Sequence, residues 1–307
     1  MASPMLTTRP LHPRFGVEVE GVDLNEVTSD HLFDEVRALF EAHSALLFRG
    51  QAMTPQTHLR LARAFGPVED RTADERKPGE AMAIPEVSNV AAGGGTYDED
   101  DLKTLNLQAN FLWHADSTFL PVPALVNILT AHIVPSEGGA TELATTRAAF
   151  ADMAPDRQAQ LRSMLLRHRY SHSRARISPE LAALPMFNKW PDTVWHAVWK
   201  NPANGAEAVY VASHAFAVVG MDTEAGQAEI DALLATCTAP DYVYSHSWTP
   251  GDVLIWDQRA VLHRGRPWDY SQPRRLTSLC ASATAADGLT EMRAAAERVA
   301  QREEAPV

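Results

Sequence analysis

Of the twelve histidines in the chain, only His114 is followed two positions later by a carboxylate, in Phe111-Leu112-Trp113-His114-Ala115-Asp116. In an extended chain, residues i and i+2 point to one face, so this imidazole and this carboxylate converge on one point. A third donor stands far downstream, His263 in Gly251-Asp252-Val253-Leu254-Ile255-Trp256-Asp257-Gln258-Arg259-Ala260-Val261-Leu262-His263. There a Gly-Asp turn is expected to open a buried strand, VLIW, that ends just before the histidine. Two imidazoles and one carboxylate on one face leave three adjacent coordination positions open, an arrangement suited to non-haem Fe(II). The same three groups could instead hold zinc and an activated water in a hydrolase. They could also be ordinary hydrogen-bonded residues at strand ends, as in a non-catalytic binding jelly roll.

Arg274 lies eleven residues past His263, a distance at which the chain can turn and return an adjacent strand to the same mouth. A guanidinium there can fork onto a carboxylate. Thr141 follows the tight-turn signal Gly138-Gly139 and offers a hydroxyl to the same carboxylate. Together they supply what a dicarboxylate bound end-on to a metal needs at its far end, and a hydrolase has no use for such a clamp.

These side chains need a scaffold. FGVEVEGVDL (15–24) alternates as a half-buried strand does, and Leu32, Phe33, Val36, Leu39 and Phe40 then recur at helical spacing. SALLFRG (44–50) is a second apolar strand. Thr54-Pro55 forms an N-cap with proline at the first helical position, for a helix closing at Gly66. Further strands are expected at IPEVSNV, NFLWHAD, ALVNILTAHIV, AVYVASHAFAVV, YVYSHSW and VLIWD, separated by Gly, Pro and Asn turn signals. Helical spacing runs over 155–168 and 222–237, and a C-terminal helix over 289–303 lies outside the core. Two stretches fit less well. Segment 67–110 is charged and Gly-rich, and segment 169–200 gathers Tyr170, His172, Arg174, Arg176, Phe187, Trp190, Trp195 and His196. Both are candidate covers over a site. With no repeat and no linker, residues 1–307 read as a single β-rich α+β domain with its core at about 10–285, a sandwich or open barrel with peripheral helices.

Charge and composition narrow the function. The balance of 27 Lys and Arg against 39 Asp and Glu, a net charge of −12, repels nucleic acid and anionic membrane surfaces. No apolar run is long enough to span a bilayer, and the start lacks a signal-peptide core, so a cytoplasmic protein is expected. Two cysteines, Cys237 and Cys280, exclude a disulfide framework and a thiolate-built zinc site. The expected partner is a small molecule, and the expected assembly a homo-oligomer.

WHADSTF, GGATEL and GDVLIWDQRAVLHRGRPWD, with Arg274 beyond, resemble the taurine and 2,4-dichlorophenoxyacetate dioxygenase family. LHPRFGVEVEGVDL and LLFRGQ resemble that family's opening, so the similarity covers roughly residues 10 to 285. Within the family the chain most resembles the aryloxyalkanoate-degrading members. The resemblance implies a double-stranded β-helix (jelly roll) core and an Fe(II)- and 2-oxoglutarate-dependent dioxygenase. Such an enzyme consumes O2, releases succinate and CO2, and hydroxylates a small aromatic or aryloxyalkanoate-like substrate, with ether cleavage where the carbon bears an ether oxygen. It implies that His114, Asp116 and His263 ligate the iron and that Thr141 and Arg274 hold the distal carboxylate of 2-oxoglutarate. Asn110 and His214 match positions that family members place near the substrate. Members acting on sulfonates, sulfate esters or phenoxyacetates commonly carry a second arginine four residues past the cosubstrate arginine. Here that position is Ser278, whose neutral hydroxyl cannot replace a bidentate cation. An anionic substrate would need Arg275, His214 or a cation from segment 67–110 instead, and the missing arginine favours a neutral or weakly polar aromatic substrate. A sulfonate or sulfate-ester dioxygenase is the alternative within the family.

Overall fold

The computed structural model describes residues 6–77 and 79–293. Among these, the longest sheet has seven strands, in the order Thr7–Pro10, Val17–Glu20, Ala45–Phe48, Val253–Asp257, Ala124–Ile133, Arg275–Ser282 and Glu86–Ser88. Neighbours are antiparallel except Val17–Glu20 and Ala45–Phe48, which run parallel. The central strands are apolar on both faces because both faces are covered. Leu46, Phe48, Val253 and Ile255 pack with Val36, Phe40, Leu61 and Phe65 of the helices Phe33–His43 and Pro55–Phe65. Leu47, Leu254, Trp256, Leu129 and Leu276 pack the other way, onto Leu143 and Val261 of a smaller sheet. That sheet has the order Val243–His246, Thr141–Thr145, Val261–Gly265. A third sheet, Ala215–Val218, Leu165–His168, Thr193–His196, and the hairpin Val198–Lys200 with Glu207–Val209 complete the strands.

Local chemistry explains the elements that the sequence outlined. Thr54 caps its helix by accepting the Thr57 amide, Pro55 follows at the first position, and Gly66 ends the helix. Asp222 caps Thr223–Cys237 in the same way. The Gly251-Asp252 turn opens Val253–Asp257 with Gly251 at φ 87.

Elsewhere, long-range pairing overrides local pattern. The helical spacing over 155–168 ends at Ser163, because Leu165–His168 pairs with a strand on each side. AVYVASHAFAVV divides into Glu207–Val209 and Ala215–Val218. NFLWHAD is not a strand: Ala109–Phe111 is a 3-10 turn, and only His114 makes a ladder contact. Segment 67–110 contains the short strand Glu86–Ser88 and the helix Leu102–Gln108. Segment 169–200 contains the short helices Tyr170–Ala175 and Pro179–Ala182, then two strands. Of the expected C-terminal helix, Leu289–Met292 is helical, and 294–303 lies outside the described residues. Among the described residues no helix is long and apolar enough to cross a membrane.

Candidate functional site

The strand Val253–Asp257 ends well before His263. Asp257, Gln258, Arg259 and Ala260 carry the chain from the larger sheet to the smaller one, and His263 sits in the middle of Val261–Gly265. The turn is held from several sides: the Asp257 amide donates to Ser44, the Gln258 amide to Leu125, and the Thr146 amide to the Ala260 carbonyl. At its centre the buried Arg259 guanidinium donates to Asp257 at 2.8 Å and to Glu41 at 2.6 Å.

His114 and His263 are a hydrogen-bonded cross-strand pair. Each amide donates to the other's carbonyl, at 3.0 and 2.8 Å, which points both rings to one face. Asp116, two residues on, joins them, so His114, Asp116 and His263 offer donor atoms that all lie within 4.8 Å of one another. Nε2 of His114 is 3.8 Å from Asp116 Oδ1, and Nε2 of His263 is 3.6 Å from Asp116 Oδ2. Immediately afterwards Ser117 takes a left-handed conformation (φ 60), strained backbone of the kind that clusters at functional sites. The chain behind it is anchored where the Thr118 carbonyl accepts from Thr193 and Trp195.

The surroundings prepare the three groups for a cation. His114 Nδ1 lies 2.7 Å from the Leu112 carbonyl, which leaves Nε2 with a free lone pair. Asp116 Oδ2 accepts from Asn127 at 2.7 Å and from Gln258 at 2.6 Å, with the Cys280 thiol at 3.7 Å, so Oδ1 is the oxygen left to bind. Gln258 also accepts the Asp116 amide at 2.9 Å. Burial opposes ionisation of Asp116, but the two imidazoles, Asn127 and Arg71 prevail and hold its carboxyl at about 2. Burial pushes His263 down to about 3 and lowers His114. A carboxylate between two neutral imidazoles is the protonation state that a divalent metal requires.

Two chambers meet at this point. The first, about 580 Å³ with its open mouth, is lined by all three groups and by Thr141, Trp268, Arg274, Asn110 and Ser278. Arg274 is buried, and its Nε and Nη2 both donate to the Gly139 carbonyl, at 3.2 and 3.1 Å, with no carboxylate in contact among the described residues. Its guanidinium lies 5.0 Å from the Trp268 ring, and burial lowers its pKa from 12.5 to about 10. Gly139, at φ 66, makes room for it: a Cβ there would sit 3.1 Å from Arg274 Nε. Thr141 accepts from the Trp248 indole at 3.0 Å, so its own hydroxyl hydrogen remains available.

The second chamber, about 1570 Å³ with its open mouth, shares His114, Asp116, Asn110 and Ser278 with the first. Its walls carry Phe119, Tyr170, Trp190 and His214, together with Arg71 and Arg174. Both segments marked as covers contribute to it, 67–110 through Arg71 and 169–200 through Tyr170, Arg174 and Trp190. His214 is buried beside the metal-site ring, 6.1 Å from His114 centroid to centroid, and its Nδ1 is 3.4 Å from the Thr118 hydroxyl. Ser278 donates to Asn127 at 3.0 Å and so belongs to the support of Asp116. Arg275 faces Glu86 at 3.8 Å and lines neither chamber. Asn127 and Gln258 escaped the sequence reading. A lone amide inside the apolar run ALVNILTAHIV is the signal for the first, and the polar stretch Asp257-Gln258-Arg259 before His263 contains the second.

Residues 7–280 match the model of the family described as taurine catabolism dioxygenase TauD, TfdA family. The chain is 32% identical over 274 residues to the alpha-ketoglutarate-dependent 2,4-dichlorophenoxyacetate dioxygenase of Cupriavidus pinatubonensis, covering 88% of this chain and 96% of that one. It is 30% identical over 281 residues to the (S)-phenoxypropionate/alpha-ketoglutarate-dioxygenase of Sphingobium herbicidovorans, covering 89% and 93%. The crystal structure of AAD-2 in complex with Mn(II) and N-oxalylglycine superposes with a TM-score of 0.84 at 28% identity, covering 91% of this chain and 98% of that one.

Proposed function

The chain belongs to the TauD, TfdA dioxygenase family, and from that premise we propose that it is an Fe(II)- and 2-oxoglutarate-dependent dioxygenase hydroxylating an aromatic, aryloxyalkanoate-like substrate. The two facing sheets are read as a double-stranded β-helix (jelly roll) core with peripheral helices. The reading is carried by one observation: a buried guanidinium without a carboxylate, Arg274, lines the same chamber as His114, Asp116 and His263. A hydrolase on the same three groups leaves that guanidinium without a purpose.

In this reading His114, Asp116 and His263 hold the metal; hydrogen bonds orient the first two, and backbone pairing with His114 places His263. The Leu112 carbonyl orients His114, while Asn127 and Gln258 tie down one oxygen of Asp116 and leave the other free. Arg274 and Thr141 receive the far carboxylate of 2-oxoglutarate, the guanidinium by two parallel donors and the threonine by the hydrogen that Trp248 leaves it. Iron with 2-oxoglutarate and dioxygen supplies the oxidising power, and succinate and CO2 leave. The second chamber positions the substrate, with Asn110 and His214 beside it and segments 67–110 and 169–200 excluding water. Hydroxylation at a carbon bearing an ether oxygen gives a hemiacetal, which collapses and cleaves the ether. A cytoplasmic homo-oligomer completes the proposal, and both cysteines are buried and unpaired, as a reducing compartment keeps them.

The test is succinate release from 2-oxoglutarate with added Fe(II) across aryloxyalkanoates, neutral aromatics, sulfonates and sulfate esters. Release should be triggered by an aryloxyalkanoate and abolished by Asp116→Ala; undiminished turnover in that variant refutes the assignment.

A further inference from the structure

Among the described residues three arginines are buried: Arg259 at 2% exposure, Arg274 at 4% and Arg174 at 7%. Arg259 shows what a structural buried arginine looks like in this protein, since Asp257 and Glu41 neutralise it. Arg274 and Arg174 have neutral partners only. Each lines one of the two chambers that meet at His114 and Asp116.

Arg174 donates from Nε to Asn106 at 3.2 Å, from Nη1 to the Ser173 hydroxyl at 3.0 Å and from Nη2 to the Tyr170 hydroxyl at 3.2 Å. A guanidinium has five N–H hydrogens, so these bonds leave one hydrogen on each Nη, the pair that forks onto a carboxylate. The side chain is held in place by rings, 4.4 Å from Tyr170 and 5.1 Å from Phe187. A second cation stands nearby: Arg71 also donates to the Tyr170 hydroxyl, at 3.3 Å, but Glu69 already neutralises it at 2.7 Å. A buried charge with no carboxylate in contact is costly, and burial lowers the Arg174 pKa although the more distant Asp116 raises it. The aromatic wall continues away from it through Tyr170, Phe119 and Trp190, with Phe119 and Tyr170 stacked at 3.7 Å.

We propose that Arg174 is the specificity-determining cation of the second chamber, receiving the carboxylate of an aromatic substrate whose ring lies along Phe119, Tyr170 and Trp190. The position where family members commonly keep a substrate-pairing arginine is Ser278, which here supports Asn127. In this chain the second chamber has Arg174, from segment 169–200, as its buried cation. The inference rests on the dioxygenase reading in taking this chamber to hold the substrate.

The test is anaerobic calorimetric titration of the Mn(II)-loaded protein with 2-oxoglutarate, then with phenoxyacetate and its neutral analogue 2-phenoxyethanol. Wild type should bind phenoxyacetate at least about tenfold more tightly than phenoxyethanol, the least expected of a charge-assisted pair. Arg174→Met should erase that preference, Arg174→Lys should keep part of it, and phenoxyethanol affinity should follow neither change. A wild type without preference for the anion, or Arg174→Met with the preference intact, overturns the assignment. Should Arg174→Met lose its near-ultraviolet circular dichroism, the wild-type and Arg174→Lys comparisons still decide. Wild type that prefers phenoxyacetate but binds no 2-oxoglutarate sinks the dioxygenase reading and leaves the Arg174 assignment standing.

Discussion

Replacing Arg274 by methionine should separate ligand binding from stability. In the free protein the guanidinium is buried against a carbonyl and an indole face, and burial takes its pKa from 12.5 to about 10. At 1.36 kcal/mol per decade, that drop is a penalty of about 3 kcal/mol on the charged form. Methionine removes the penalty, but it also removes the two donors of the Gly139 carbonyl, at a cost of about 1–3 kcal/mol. The two effects nearly cancel. The net change lies between zero and about 2 kcal/mol, so the thermal midpoint without 2-oxoglutarate should move by no more than about 4 °C, at roughly 2 °C per kcal/mol in a domain of this size. Affinity for 2-oxoglutarate should respond quite differently. Loss of a charge-assisted pair worth about 1.5–3 kcal/mol weakens binding by about 10- to 150-fold. The assay is thermal unfolding of Mn(II)-loaded protein over a 2-oxoglutarate series: wild type should be stabilised progressively, and the variant only at correspondingly higher concentrations. Unchanged 2-oxoglutarate affinity would refute the clamp. A variant melting more than about 10 °C below wild type without ligand would refute the stability argument.

Gln258→Leu removes two of the bonds that position Asp116, leaving the one from Asn127, and should weaken metal binding by about 10- to 100-fold, read by Mn(II) titration with electron paramagnetic resonance; wild-type affinity would count against it. Arg259→Met leaves Glu41 with Arg37 and Asn201 and Asp257 with the more distant Arg147, and should cost about 3 kcal/mol in urea unfolding, the lower end for breaking a buried pair, a loss below 1 kcal/mol being the contrary result. Asp252 supplies a pH dependence. Burial opposes its ionisation, yet His246, the Thr249 amide and Arg49 hold its carboxyl below the usual carboxylate range. Its stabilising contribution is thus complete above the unfolded value near 3.9 and is lost as pH falls through the lower folded value. Asp252→Asn should be destabilised against wild type at pH 7, and the gap should narrow between pH 4 and pH 2. A gap that widens on acidification would refute the sign.

What the sequence by itself determined is what depends on residue type and short spacing. Thr54-Pro55, Asp222 and Gly251-Asp252 act on backbone groups within a few residues, so caps and turns are readable from the chain. His114 and Asp116, two residues apart, are likewise a local matter, and Thr141 and Arg274 were marked by the turns before them. The tertiary structure alone decided that residues 165–168 become a strand, because apolar residues there suit either element until partners on both sides supply a ladder. It alone carried His263 to the smaller sheet and paired it with His114. It also decided which arginine is neutralised and which is left with unspent donors, a distinction between Arg259, Arg274 and Arg174 that their neighbours in sequence do not reveal. Ligand type is a property of a side chain. Protonation state, free hydrogens and the room around them are set by what the surrounding fold keeps away from water.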